Sequence, residues 1–320
     1  MRDLRVSFGG GAIRAVDGVS FDLAPGEVLG VVGESGSGKS VASKAILGLH
    51  GASASVGGSI IYDGRDLLTL AEPELRKLRG AEIAMVFQDP HTSLHPFFTI
   101  GKQITEAYRL HREVSRKAAR AHAIDLLGRV GITDPLHAFD AYPHEYSGGM
   151  RQRAMIAMAL VCSPRVLIAD EPTTALDVTV QAQILDLLLD LRDDFGSAIV
   201  LVTHDLGVVA QACDRVLVMY GGRVVERAGV NDLFHAPAMP YTWGLLGSVP
   251  RLDRTEEELT SIPGSPPASS ADLGAGCAFA GRCAHRAKVP GSLCVTSLPS
   301  LVEVGPGHAA RCHLLAEGAS

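Results

Sequence analysis

The stretch Gly33-Glu34-Ser35-Gly36-Ser37-Gly38-Lys39-Ser40 constrains this chain more than any other. An apolar, β-prone run, Val28–Val32, leads into it, and a helical pattern, Ser40–Leu49, leaves it. Glycines at 33 and 38 let the backbone turn tightly, so that successive N–H groups face one point; the helix that follows adds its positive end. Such a turn cradles phosphate oxygens, with Lys39 reaching the outer phosphates and the Ser40 hydroxyl suited to Mg²⁺. A chance Gly/Ser turn is disfavoured, because Lys-Ser closes the segment between a strand and a helix. The expected class is α/β, with a largely parallel sheet covered by helices.

The remaining pattern fits that class. Leu4–Phe8, Val19–Leu23, Gly58–Tyr62 and Ile83–Phe87 are expected as strands. From Asp89 to about Cys162 the strand signal vanishes; Ile100–His111 and Ser115–Val130 read as helices, the second with Ala118, Ala121, Ile124 and Leu127 on one face. Alternation resumes with strand Val166–Ala169, helix Val178–Arg192 (Ile184, Leu187, Leu188 and Leu191 apolar), strand Ala198–Thr203, short helix Leu206–Ala212 and the β pair Arg215–Tyr220 and Arg223–Glu226. Past about Phe234 the composition shifts, through the turn formers of Ser261–Ser270, to a cysteine-rich tail. At 320 residues and 47% hydrophobic content the chain can bury one large domain and a small one. A net charge of −6 without a basic run argues against a nucleic-acid partner. The apolar runs are too short to cross a bilayer, and the first residues lack a signal-peptide core, so a cytosolic chain is expected.

Two further segments carry chemistry. Val166-Leu167-Ile168-Ala169-Asp170-Glu171 ends a buried strand in two acids. Asp170 is suited to hold Mg²⁺, directly or through water, and Glu171 to polarise an attacking water. Ser147-Gly148-Gly149-Met150-Arg151-Gln152-Arg153 opens a helix running to about Leu160. Its free N–H groups form an anion site, and Ser147 also suits a plain N-cap.

Taken in order, the glycine-rich loop, the Ser-Gly-Gly heptapeptide and the acidic strand end resemble the ATP-binding cassette of ABC transporters. The resemblance implies a P-loop NTPase cassette: a mixed-sheet core with an antiparallel β subdomain and a helical subdomain at about 89–162, plus a small Cys-rich C-terminal domain. It places ATP and Mg²⁺ on Gly33, Ser35, Gly36, Gly38, Lys39, Ser40 and Asp170. Phe8 matches the aromatic that stacks on adenine, and Gln88 the glutamine that senses Mg²⁺ and the γ-phosphate. Asp177, in Ala175-Leu176-Asp177, matches the aspartate that crosses a dimer interface; His204 matches the switch histidine and Glu171 the general base. Ser147, Gly148 and Gly149 would face the ATP held by a second cassette. Relatives commonly carry leucine where this chain has Tyr146.

Phe87–Pro96, Tyr142–Glu145, Pro240–Leu246, Pro250–Asp253 and Ile262–Pro267 are similar to the peptide/nickel importer group, which usually has asparagine at the place of His95. The likeness implies a cassette over 1–235 and a peptide-transporter-type C-terminal domain over 236–320. It also implies two permease subunits, an extracytoplasmic solute-binding protein, a second and related ATPase, and a place on the cytoplasmic face of the bacterial inner membrane. Relatives usually have a few residues before Arg2, so an upstream start is expected.

Cys277, Cys283, Cys294 and Cys312 crowd the tail with gaps of five, ten and seventeen residues. In a reducing compartment this favours a metal or cluster over disulfides, and the Cys-x2-Cys pairs of zinc knuckles are missing. The resemblance implies a four-iron iron–sulfur cluster; zinc and then free thiols are the alternatives, and His285, His308 and His313 are nearby substitutes for Cys294 as a ligand. Cys162 and Cys213 read as small buried hydrophobes. Import of oligopeptides or dipeptides is the expected function. The rivals are import of nickel or another small solute, a soluble non-transport ABC ATPase, and a tail-centred redox or metal sensor.

Overall fold

The computed structural model describes residues 1–174, 176–248, 262–267 and 273–315. Along the chain come strands β1 (Arg2–Phe8), β2 (Ile13–Val19) and β3 (Val28–Val32), helix α1 (Lys39–Ile46), β4 (Ala54–Ser59), the short hairpin β5–β6 (Ile61–Tyr62 and Arg65–Asp66), α2 (Glu72–Leu78) and β7 (Ile83–Val86). Helices α3 (Pro90–Ser93), α4 (Ile100–His111), α5 (Arg116–Arg129), α6 (Pro135–Asp140) and α7 (Gly148–Leu160) fill the strand-poor stretch. Then follow β8 (Val166–Asp170), α8 (Val178–Phe195), β9 (Ala198–Thr203), α9 (Leu206–Ala212), β10 (Arg215–Tyr220), β11 (Arg223–Gly229), α10 (Val230–His235) and α11 (Pro240–Gly247). The tail holds α12 (Leu293–Thr296), β12 (Val302–Gly305) and β13 (His308–Ala310). Two compact units result: Met1–Asp22 with Leu29–Thr69 and Thr203–Ser320, and Leu23–Val28 with Leu70–Val202.

In the first unit, β2–β1–β4 form an antiparallel sheet whose inward residues, Leu4, Val6, Val16 and Val19, are buried. The second strand is therefore Ile13–Val19 and not Val19–Leu23. It pairs with β1 through two register shifts, and Asp17 within it is held by Arg5 at 2.6 Å and Arg223 at 2.7 Å. The charge inside the strand is thus satisfied by ion pairs. The expected Gly58–Tyr62 strand breaks after Ser59, where β4 leaves β1 and the β5–β6 hairpin begins. Buried on every residue, β3 pairs parallel with β10, as its continuous apolar run demands. Strand β11 returns antiparallel beside β10, and the tail strands β13 and β12 extend it.

The second unit contains the parallel set β7–β8–β9, with Met85 opposite Ile168 and Ile168 opposite Val200. Ser115 caps α5 by accepting the Ala118 N–H at 3.2 Å. That helix buries Ala119, Ala123, Leu126 and Leu127; of the expected face only Leu127 is buried. So many alanines give α5 several nearly equivalent apolar faces, and packing selects one. Helix α8 buries Ile184, Leu187, Leu188 and Leu191 as expected. Among the described residues no helix is long and apolar enough to cross a membrane.

Candidate active site

The phosphate loop leaves the end of β3 and enters α1, in the first unit. Gly33 has φ 151° and Gly38 φ 96°. A Cβ on the first would lie 2.2 Å from the Met219 carbonyl oxygen, and on the second 2.3 Å from that of Ala15, so only glycine permits this path. Helix α1 starts without a side-chain cap, which leaves its N-terminal dipole to a ligand. The buried Lys39 ammonium donates to the carbonyls of Gly33 at 2.7 Å and Glu34 at 3.1 Å. The buried Ser37 hydroxyl of the same loop has no hydrogen-bond partner among the described residues. A cation and an orphaned hydroxyl inside a glycine cradle fit phosphate oxygens. Phe8 is half-buried at the end of β1, edge-on to His50 with ring centroids 6.0 Å apart. Burial holds the His50 pKa below its ordinary value. His204 is exposed immediately after β9, ahead of Asp205, which caps α9 by accepting the Gly207 N–H at 2.7 Å.

In the second unit, Asp170 ends β8 almost fully buried, as an oxygen donor suited to Mg²⁺. Glu171 follows with φ 49°, a left-handed conformation that costs a non-glycine residue about 1 kcal/mol. Its N–H is tied to the Val202 carbonyl at 2.8 Å. Its carboxylate accepts the Gln88 amide at 3.0 Å and the Thr174 hydroxyl at 2.9 Å. Thr174 was not foreseen; its only sequence signal is a hydroxyl three residues after a strand-end acid. Ser147 caps α7 by accepting the Met150 N–H at 3.3 Å, and Asp177 caps α8 by accepting that of Val180 at 2.9 Å. A Cβ on Gly149 would lie 3.1 Å from Val180, so the start of α7 sits against the start of α8. Tyr146 is buried and donates to the Ala138 carbonyl at 2.8 Å, and burial pushes its hydroxyl up to about 12. Ala175 lies outside the described residues, as does Pro250–Asp253.

The ABC transporter family matches residues 16–174, and the oligopeptide/dipeptide transporter C-terminal region matches residues 225–289. An oligopeptide transport ATP-binding protein of Escherichia coli is 48% identical over 98% of this chain and 91% of its own. The chain belongs to the ABC transporter family. A dipeptide transport ATP-binding protein of Bacillus subtilis is 50% identical, covering 98% of this chain and 93% of its own. A dimeric ATP-binding cassette solved in a post-hydrolysis state with ADP and phosphate superposes with a TM-score of 0.63 and 27% identity, over 71% of this chain and 98% of that one. Family membership makes this chain an ATP-hydrolysing transporter subunit, which implies ATP and Mg²⁺.

The tail of the ABC chain carries its cysteines as free thiols. The Cys277 N–H donates to the Cys294 carbonyl at 2.8 Å. Cys277, Cys283 and Cys294 line one open hollow of about 840 Å³ that also holds Arg282 and Arg286. Burial, and then the neighbouring Cys312, Cys294 and Cys283, push the Cys277 thiol up to about 11. Among the described residues no group of three or more His, Cys, Asp or Glu is set to hold a metal ion. The expected substitute ligands are engaged elsewhere: His308 with the buried Glu226 at 2.8 Å, His313 with the Ser297 carbonyl at 2.8 Å, and His285 edge-on to Trp243. Cys162 and Cys213 are buried, and burial pushes the Cys213 thiol up to about 12, as inert core residues require.

Proposed function

We propose that this cassette powers the import of oligopeptides or dipeptides through a membrane permease. The observation that carries the reading is the near full-length identity to peptide-transport ATP-binding proteins, which includes the C-terminal region at 225–289. The chain then divides functionally into a nucleotide-binding domain, 1–235, with its helical part about 89–162, and a peptide-transporter-type domain, 236–320. Its partners are two permease subunits, an extracytoplasmic solute-binding protein and a second, related ATPase. Its place is the cytoplasmic face of the inner membrane.

Each residue has a stated task. The N–H groups of Gly33–Ser40 and the Lys39 ammonium neutralise the β- and γ-phosphates, and Phe8 stacks on the base. Ser40, Gln88 and Asp170 are the proposed Mg²⁺ ligands; the ion supplies charge neutralisation on the phosphates. Glu171 takes the proton of the attacking water, and His204 contacts the γ-phosphate as charge develops there. Ser147, Gly148 and Gly149 bind the nucleotide of the partner cassette, and Asp177 crosses to it. Capping and this role are compatible, because the Ser147 side chain serves its own helix while the helix end faces outward.

For the tail we favour a four-iron iron–sulfur cluster over zinc. Four cysteines in one short segment, three of them on one hollow, support this reading. The deciding experiment is reconstitution of the complex in proteoliposomes, with external peptide or Ni²⁺ and internal ATP. Peptide uptake that stops in Glu171→Gln supports the reading. Nickel uptake without peptide uptake, or ATP hydrolysis indifferent to the permease, sinks it. Iron and sulfide analysis of anaerobically purified chain tests the tail separately.

A further inference from the structure

The peptide of Glu34, inside the phosphate loop, is gripped from residues more than 200 positions away. Its N–H donates to the hydroxyl of the fully buried Tyr241 at 2.9 Å. Its carboxylate receives both arms of the Arg282 guanidinium, at 2.6 and 3.0 Å. This is the two-pronged geometry that fixes orientation as well as distance. Side-chain exposure is only 9% for Arg282 and 25% for Glu34, so solvent screens the pair weakly. Arg282 also donates to the carbonyls of Pro263 at 2.8 Å, Gly264 at 3.1 Å and Ile262 at 3.4 Å. Arg282 also donates to the Tyr220 hydroxyl at 3.4 Å, and the Tyr220 ring stands edge-on to Tyr241 and Phe279, which are tilted against each other.

The loop's cation rests on both peptides that flank the Glu34 Cα. The Gly33 carbonyl, in the same peptide plane as the N–H that Tyr241 holds, accepts from Lys39 at 2.7 Å. The Glu34 carbonyl, in the next plane, accepts from Lys39 at 3.1 Å and from the Ser37 N–H at 3.2 Å. Turning either peptide would shift the ammonium, and turning the second would also shift the loop N–H groups. Given that this loop binds ATP, as proposed above, we propose that Arg282 is a positioning residue for the nucleotide. Through Glu34, and together with Tyr241, it fixes the plane on which Lys39 is presented to the phosphates. The tail segment around Cys283 is then part of the ATP site's construction.

ATP·Mg²⁺ titration calorimetry on the full chain tests this, with thermal melting recorded for each variant. Arg282→Ala and Glu34→Gln should each weaken ATP binding about tenfold, the size usual for coupled contacting residues. The double variant should be no weaker than the worse single one, and Arg282→Lys should recover only part, because an ammonium cannot make the fork. A merely structural Arg282 would lower the melting temperature and leave ATP affinity unchanged in the folded protein; Glu34→Gln supplies the same readout should Arg282→Ala fold poorly. Wild-type affinity in both single variants, or additive losses in the double, overturns the inference. Undiminished affinity in Lys39→Ala overturns the loop reading and this inference with it; a loss there with wild-type affinity in Arg282→Ala and Glu34→Gln overturns the inference alone.

Discussion

The phosphate loop after β3 and the acidic turn after β8 both leave the C-terminal end of a parallel strand, yet they reach their shapes by opposite means. Glycines relieve the first: the positive φ angles at Gly33 and Gly38 cost little, and the loop is then steadied by Tyr241 and Arg282, far away in sequence. Strain persists in the second, where Glu171 itself takes the left-handed angle and is pinned by Val202, Thr174 and Gln88. A binding loop must fit an anion closely and tolerates remote bracing. A base must be aimed, and the carboxylate of the proposed base Glu171, on a strained backbone and held by two hydrogen-bond donors, is aimed before substrate arrives.

The largest break in this comparison should come at the aimed base. Glu171→Gln should lower phosphate release about a thousandfold while ATP binding survives, within the range expected for a positioned base; unchanged turnover would remove Glu171 from that role. Lys39→Ala should act on the other side, weakening ATP binding about a hundredfold by calorimetry, the loss of a charge-assisted contact to phosphate. Glu226→Ala probes the remote bracing. This fully buried carboxylate accepts from the N–H groups of Ala238 at 2.6 Å and Met239 at 3.1 Å, at the start of the helix carrying Tyr241, and from His308. Stranding those donors should cost about 2–3 kcal/mol in denaturant unfolding. Thr174→Val keeps the volume but removes one donor to Glu171, and should lower kcat about fivefold with KM unchanged, in line with about 1 kcal/mol for one hydrogen bond. The smallest effect is acid sensitivity at His50. Its folded pKa lies below the unfolded value, so the unfolded chain takes the proton first. Stability should be level above about pH 6.5 and fall as pH drops from there toward the folded pKa, by less than about 1.4 kcal/mol per pH unit, the limit for one proton. His50→Leu should flatten that part of the stability–pH curve.

Much of the first region was legible because its constraints are local. Strand, glycines, lysine and helix lie in one stretch, and continuous apolar runs such as Val28–Val32 and Ala198–Thr203 leave no choice of face. The N-cap at Ser147 was legible for the same reason. What escaped depends on choices among near-equals or on distance. The buried face of α5 had competitors because alanine marks its helix faces weakly. Strand β2 carries Arg14, Asp17 and Gly18, which look like turn until Arg5 and Arg223 are seen to neutralise Asp17. Strands β12 and β13 are short, and Val302 and Val304 stay exposed, so alternation gave no guide. Glu34 and Arg282 are 248 residues apart, and no periodicity spans that interval.

Tyr241 and Arg282 also bear on what can be exchanged between members of such a family. A chain ending at His235 would keep the glycine loop, the Ser-Gly-Gly segment and the acidic strand end, yet would lack the hydroxyl and the guanidinium that seat Glu34. Grafting a foreign C-terminal segment onto this cassette is therefore not a neutral swap. The graft must present a matching acceptor and cation to position 34, or the recipient inherits a complete set of motifs with a loosened grip on its nucleotide.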